Sequence, residues 1–165
     1  MKLASDGTLQ GTYNVGNAPW GVTFDGTNIW VANSGDTTVT KLRASDGTLL
    51  GTFNVGTAPR SIAFDGANIW VSNNSSNNIT KLQASDGTLL GTYDVGATPA
   101  GITYDGLNIW VVNQGSNSVT KLRPSDGAVL GTYQVGDSPR GAAFDGSNIW
   151  IANGGSNSLT KIPVN

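Results

Sequence analysis

The chain has 165 residues, of which 38% are hydrophobic and 12% are charged, and its formal net charge is −2. This composition is typical of one soluble globular domain and excludes a disordered or membrane-spanning chain. The nine basic residues are scattered, so no surface for nucleic acid is expected. Cys and His are absent, which excludes disulfides and removes the commonest general base and metal ligand.

Short strands are predicted from the start of the chain. The run at 8–15, TLQGTYNV, alternates apolar and polar residues, which predicts a half-exposed strand. The run at 21–24, GVTF, is short and apolar. The run at 28–33, NIWVAN, is apolar on both faces, as expected of a strand buried on both sides. The run at 37–42, TTVTKL, is β-branched and more polar.

Asp-Gly turns separate these runs. The pair at 25–26 joins the second and third runs, and the pair at 46–47 follows the fourth. Glycine accepts the positive φ of a tight hairpin, so each pair predicts a turn. All eleven acidic residues of the chain are Asp. Paired carboxylates can bind calcium or transfer protons, but their place in the hairpins favours a turn role.

The same pattern returns every 40 residues. The repeats span 5–44, 45–84, 85–124 and 125–165. Four antiparallel strands in about 40 residues are typical of one β-propeller blade. The sequence therefore predicts a single all-β domain over 1–165, a β-propeller with four blades of four antiparallel strands per chain.

The blades resemble a known type. Segments 19–42, 59–82, 99–122 and 139–162 follow the pattern PxGIxFDGxNIWVANxGSNxVTKL with variations. In strand order, Asp-Gly turns and the aromatic of the third run, they resemble NHL, YVTN and streptogramin-lyase propellers. That resemblance implies the fold along the whole chain but no single function. The active site of streptogramin lyase uses His, Glu and magnesium, and this chain has neither residue type. We therefore expect no enzyme, no catalytic residue, no metal and no cofactor.

One Trp recurs in the middle of each buried run. Four such residues could form an aromatic cage for a ligand. A Trp at the centre of every blade, however, favours a core position between neighbouring blades. The predicted core residues are Trp30, Trp70, Trp110 and Trp150.

A candidate ligand site lies on one face of the propeller. The loops that cross between blades and the loops between the middle strands are expected to open together there. We call a set of equivalent positions in the four repeats a column. The column at 20, 60, 100 and 140 holds Trp, Arg, Ala and Arg and is expected near the mouth of the central channel. Two Arg with a nearby Asp can bind an anionic or planar ligand, although a tolerant surface column is the alternative. The candidate binding residues are Trp20, Arg60, Arg140, Asp137, Asn33, Asn73, Asn113 and Asn153.

The last repeat has its three inner runs before Pro163, and the run at 8–15 has the pattern of the outer strand that would complete it. An open array would leave a strand edge and an apolar face at each end. In one closure a single chain forms a four-bladed ring. In the other, two chains form an eight-bladed ring, and each N-terminal strand completes the partner's last blade. Blades of the resembled type usually belong to rings of six or more, which favours the homodimer.

The predicted function is that of a non-catalytic, self-assembling propeller module, natural or engineered, that serves as a structural or interaction scaffold. The alternative is a propeller that binds a small molecule, glycan or peptide on its variable loops, and a lyase-like enzyme is the least favoured function. The expected partner is a second copy of the chain, with no nucleic acid and no membrane. No signal peptide or transmembrane segment is recognisable, and the sequence names no compartment.

Overall fold

The computed structural model describes residues 9–164. That part of the chain is built from short β-strands, and it contains no helix long and apolar enough to cross a membrane. The strands are β1 (Pro19–Phe24), β2 (Asn28–Asn33), β3 (Thr38–Arg43), β4 (Leu49–Asn54), β5 (Pro59–Phe64), β6 (Asn68–Asn73), β7 (Asn78–Gln83), β8 (Leu89–Asp94), β9 (Pro99–Tyr104), β10 (Ile109–Asn113), β11 (Ser118–Leu122), β12 (Val129–Gln134), β13 (Pro139–Phe144), β14 (Asn148–Asn153) and β15 (Ser158–Pro163).

The strands form four antiparallel sheets in chain order. Strands β1 to β4, β5 to β8 and β9 to β12 form four-stranded sheets, and β13 to β15 form a sheet of three strands among the described residues. Each sheet is a meander, with its first strand at one edge and its last at the other. We number these sheets blades 1 to 4. The predicted all-β fold, with four propeller blades in the chain, is confirmed.

The first hairpin of each blade is closed by an Asp that has two roles. In blade 2, Oδ1 of Asp65 accepts hydrogen bonds from the backbone N–H groups of Ala67 and Asn68, at 2.9 and 2.7 Å. Its Oδ2 accepts the indole N–H of Trp70 at 2.7 Å. The carboxylate thus fixes both the turn and the large side chain that enters the core. The pairs Asp25–Trp30, Asp105–Trp110 and Asp145–Trp150 repeat this contact.

The first strand of each blade, which we call its inner strand, packs against the inner strand of the next blade. The last strand of each four-stranded blade is its outer strand. Strand β1 packs against β5, β5 against β9, and β9 against β13. This approach is close: a side chain at Gly21 would collide with the carbonyl of Arg60, and one at Gly101 with the carbonyl of Arg140. Glycine at these two positions therefore allows β1 to approach β5, and β9 to approach β13, at this distance.

A hydrophobic core lies between each pair of successive blades. In the first core, Trp30 and Val39 of blade 1 pack with Ile62, Ile69 and Val71 of blade 2. In the next two interfaces, the Trp and the β-branched residue of one blade likewise pack against aliphatic side chains of the following blade. Burial of these side chains is the main favourable contribution to the packing of one blade on the next.

A lysine crosses each interface; it is buried in the first two interfaces and half-buried in the third. Nζ of Lys41 donates to the carbonyl of Ala84 at 2.7 Å, and Nζ of Lys81 donates to the carbonyl of Pro124 at 2.6 Å. The ammonium groups of Lys41, Lys81 and Lys121 also lie 5.0 to 5.2 Å from the centroid of the Trp ring in their own blade. Lysines of this column satisfy a backbone carbonyl in the next blade, and the sequence had not indicated this role.

In the described part of the chain, the four blades follow one another in an arc. The outward faces of the first and last blades, at the two ends of this arc, lack this packing within one chain. Val22 of blade 1 is 64% exposed, whereas Ile62, the equivalent residue of blade 2, is 7% exposed. Leu159 of blade 4 is 66% exposed, whereas its equivalent Val119 is fully buried. Each end therefore presents one half of the interface that forms three times inside the chain.

Residues 9–15 do not complete blade 4 of the same chain, because no strand forms there and β15 pairs only with β14 in the described part. Tyr13 instead lies against Gly47 of blade 1, just as Phe53 lies against Gly87. This segment thus occupies the place of an outer strand from a preceding blade. Thr8 and the start of the first repeat at 5–7 lie outside the described residues.

Candidate functional site

A cavity of about 360 Å³ lies where the four inner strands begin. Its wall contains the second residue of each inner strand, one from every blade, together with Gln114. The structure thus brings the predicted column together, because consecutive inner strands pack side by side. Gln114 was missed, since its column is otherwise Ser, Asn and Gly and varies like a surface position. The residues of the column are Trp20, Arg60, Ala100 and Arg140.

The cavity carries positive charge. The Arg60 guanidinium lies over the indole of Trp20, 5.3 Å from the ring centroid, in a cation–π contact that restricts its orientation. Arg140 lines the same space. Among residues 9–164, the side-chain ion pairs are Arg43–Asp46 and Arg123–Asp126. The two cavity arginines therefore have no carboxylate at ion-pair distance in the described part of the chain.

Asp137 does not line this cavity. Its Oδ1 accepts a hydrogen bond from Nδ2 of Asn117 at 3.2 Å, and its backbone N–H donates to Oγ of Ser156 at 3.1 Å. These contacts tie the crossing loop to neighbouring loops. Asp137 thus leaves the charge of Arg60 and Arg140 uncompensated.

The four predicted Asn residues are buried inside their blades rather than gathered at the cavity. Asn33 is fully buried, and its Nδ2 donates to Oγ1 of Thr38 and Oγ1 of Thr40, both at 3.0 Å. Its Oδ1 accepts the backbone N–H of Gly16 at 3.2 Å. The amide therefore joins β2 to β3 and to the crossing loop. Bonds to the next strand are also made by Asn73, Asn113 and Asn153.

The Trp column lies between blades, with one exception at the end of the arc. Trp30, Trp70 and Trp110 are fully buried. Trp150 is partly exposed, because within one chain no further blade covers it. An aromatic residue of the outer strand contacts each of the three buried indoles, at centroid distances of 5.4 to 5.8 Å.

Metal chemistry finds no support in the side-chain arrangement. Within the described range, no three acidic side chains come close enough together to hold a metal ion. The carboxylates of the four first hairpins lie in separate turns, and each accepts hydrogen bonds from backbone N–H groups and from an indole.

No protein-family model and no curated protein matches the chain. Solved structures with the same fold include hydrazine synthase of Kuenenia stuttgartiensis, with a TM-score of 0.82 and 23% identity over 96% of this chain and 50% of that one. The computationally designed Ika4 protein gives a TM-score of 0.80 and 10% identity over 100% of this chain and 99% of that one. Streptogramin B lyase gives a TM-score of 0.71 and 24% identity over 89% of this chain and 55% of that one.

At these identities the likeness shows the β-propeller fold alone. The similar structures include enzymes and a designed protein, so the fold alone does not indicate whether this chain is catalytic. The chain spans about half the length of the hydrazine synthase and lyase chains and nearly all of the designed Ika4 chain.

Proposed function

We propose that two copies of this chain close into one eight-bladed ring and that the ring is a non-catalytic scaffold. The observation that carries the proposal is the exposure of Val22 and Leu159 on the two end faces, at 64% and 66%. Each face repeats one half of an interface that buries the equivalent residues inside the chain. Blade 4 of one copy therefore fits blade 1 of the other without a new kind of contact.

The segment at 9–15 supports the same assembly. Tyr13 occupies the position that Tyr133 holds in blade 3, where the Tyr133 ring lies 5.6 Å from the Trp110 ring. Trp150 lacks this aromatic neighbour within one copy. In the ring, the partner's Tyr13 covers Trp150, and the segment becomes the fourth strand of blade 4.

The lysine column gives a polar counterpart to this packing. Lys121 donates from blade 3 to the carbonyl of Val164 in blade 4, at 3.3 Å. Lys161 of blade 4 is exposed. By the same offset, the acceptor for Lys161 in the ring is the carbonyl of the partner's Ala44.

Two further facts favour eight blades over four. In the described part of the chain, contacts between inner strands run from β1 through β5 and β9 to β13, with no comparable contact from β13 back to β1. The chain also superposes on half of the hydrazine synthase chain with a TM-score of 0.82. A match to half of a longer chain supports an arc that continues into further blades, and we propose that a second copy supplies them.

A scaffold role is supported by the chemistry of the cavity. Its walls hold Arg, Trp, Ala and Gln, none of which is a ready general base at neutral pH. The chain has no His, Cys or Glu to provide one. A second candidate role, favoured by the uncompensated charge of Arg60 and Arg140, is ligand binding at this cavity.

Light scattering tests the assembly. We expect the wild type to have twice the mass of one chain, and Leu159→Asp to have the mass of one chain because a carboxylate would be buried at the interface. Leu89→Asp is the control, since Leu89 is 59% exposed on the outer strand of an internal blade. It should keep the double mass. A wild type with the mass of one chain overturns the proposal.

Disulfide trapping distinguishes the two closures. By the 40-residue offset, Ser158 and Asn14 should pair as Ser118 pairs with Gln134. The Val135 N–H donates to the Asn117 carbonyl, so 117 and 135 form a hydrogen-bonded pair. The adjacent pair, Ser118 and Gln134, is therefore non-hydrogen-bonded, and its side chains lie close enough for a disulfide. The chain has no cysteine of its own.

Ser158→Cys with Asn14→Cys should give a covalent dimer on a non-reducing gel if two copies close the ring. Ser118→Cys with Gln134→Cys is the control, which should form its bond within one chain. An intrachain bond in the first variant would instead support the four-bladed monomer.

A further inference from the structure

The cavity at the start of the inner strands combines features that recognise negative charge. Arg60 and Arg140 both line it, and no Asp does. Neither arginine has a carboxylate at ion-pair distance among the described residues. Two guanidinium groups facing one space repel each other, and an anion bound between them relieves that repulsion.

The positive charge is local. The chain as a whole carries a formal net charge of −2, so general attraction of anions does not explain two arginines at one place. Arg60 is held against Trp20, which is 69% exposed and leaves a free aromatic wall beside the guanidinium. A guanidinium held in this way loses less conformational freedom when it binds an anion.

We propose that this cavity binds a small anion with several negative charges, an oligophosphate or a polycarboxylate, on the axis of the ring. The inference rests on the two-copy assembly proposed above. The column lies on the inner strands, so in the ring the partner's Arg60 and the partner's Arg140 face Arg60 and Arg140 across the axis. Four guanidinium groups then surround one space.

The chemistry of these groups selects the ligand class. Each guanidinium offers five N–H donors in a planar fork that binds two oxygens of a phosphate or carboxylate at once. A singly charged ion neutralises one of the four groups and leaves the others to repel. An anion with several charged oxygens bridges both copies, while Gln114 adds an amide to the wall.

Isothermal titration calorimetry at low ionic strength tests the site, with sodium pyrophosphate and citrate titrated separately. We expect saturable binding of at least one of them, with one anion per two chains. Binding of pyrophosphate alone identifies an oligophosphate site, and binding of citrate alone a polycarboxylate site. Absence of binding by both at millimolar concentrations overturns the proposal.

Matched arginine variants test the location. Arg60→Gln and Arg140→Gln should each weaken binding about tenfold or more, because each removes a charge-assisted donor from both copies. Arg123→Gln is the control, since Arg123 pairs with Asp126 outside the cavity. Its affinity should equal that of the wild type. An equal loss in all three variants would indicate general attraction of anions and overturn the site.

The ring and the anion site can fail separately. Light scattering on the same samples reports the ring, whatever the calorimetry finds. A double mass without anion binding rejects the anion site and leaves the ring. The Leu159→Asp variant, which we expect to have the mass of one chain, should bind at least about tenfold more weakly, since two of the four guanidinium groups are then lost. Unchanged affinity in that single chain would contradict a site shared across the axis.

Discussion

The indole N–H of Trp70 donates a 2.7 Å hydrogen bond to Oδ2 of Asp65, five residues earlier in the chain. Burial raises the carboxyl pKa of Asp65, but hydrogen bonds from Trp70, Asn68 and the backbone lower it by more, so the pKa lies below its usual value. The equivalent Asp25, Asp105 and Asp145 also have lowered pKa values. The bond therefore links the core to the ionisation of a surface turn.

These carboxylates should make the protein sensitive to acid. A folded-state pKa below the unfolded value of about 3.9 contributes stability above that pH, and this stability is lost as the pH falls through the folded pKa. With no His in the chain, we expect a nearly constant free energy of unfolding between about pH 5 and pH 8 and a fall below about pH 4. Urea unfolding at a series of pH values measures this, and Asp65→Asn should show a smaller loss in acid. Equal acid sensitivity in that variant and the wild type would contradict the role of Asp65.

Trp70→Phe should lower stability in two ways. The smaller ring leaves space in a fully buried position, and the Asp65 carboxylate loses its indole donor. We expect a loss of about 2–4 kcal/mol in the free energy of unfolding. In Asp65→Asn the carboxylate is already absent, so adding Trp70→Phe should cost less than it does in the wild type. Additive losses in this double-mutant cycle would indicate that the two side chains act independently.

Lys81→Met should weaken the interface between blades 2 and 3. Lys81 is 7% exposed and donates to the carbonyl of Pro124 at 2.6 Å, so the substitution leaves a carbonyl without its charged donor. The expected loss is about 1–3 kcal/mol in urea unfolding. Lys161→Met, compared with Lys81→Met, tests whether Lys161 makes the equivalent contact across the proposed interface. A comparable loss is expected if Lys161 donates to the partner's Ala44, whereas a change below about 0.5 kcal/mol is expected for a surface lysine without such a contact.

Gly87→Ala should be more harmful than Gly66→Ala. Both glycines have positive φ, at +81° and +99°, so both substitutions strain the backbone. A methyl group at Gly87 would also collide with the Phe53 ring, whereas nothing lies within 4 Å at Gly66. We expect Gly87→Ala to lose at least about 1 kcal/mol more in chemical unfolding. If Phe53→Ala is already present, the difference should shrink.

The sequence was sufficient for elements whose partners are close in the chain. The run at 28–33 coincides with β2 (Asn28–Asn33), and the run at 37–42 differs from β3 (Thr38–Arg43) by one residue at each end. These strands are joined by short loops, so local alternation and turn residues determine them. The segment at 9–15 also alternates apolar and polar residues but forms no strand, because no adjacent segment of the chain pairs with it.

The candidate site was only partly predictable for a similar reason. The column of Trp20 and Arg60 could be inferred because its position repeats with the blades. Asn33 was a candidate binding residue, yet its amide donates to Thr38 and Thr40 inside the blade. Such cross-strand hydrogen bonds depend on register and side-chain direction. The lysine contacts to the next blade likewise depend on packing between repeats.

The close approach at Gly101 has a consequence for the whole assembly. A small change in the spacing between two inner strands is multiplied along the arc, since the rotations of successive blades add. Substituting Ala at Gly101 would push β9 away from the Arg140 carbonyl and alter the angle subtended by four blades. If two copies close the ring as proposed, two such altered arcs would no longer make a full circle, although both end faces are unchanged. In the proposed assembly, the number of subunits therefore depends on the curvature of each subunit as well as on the surfaces that meet.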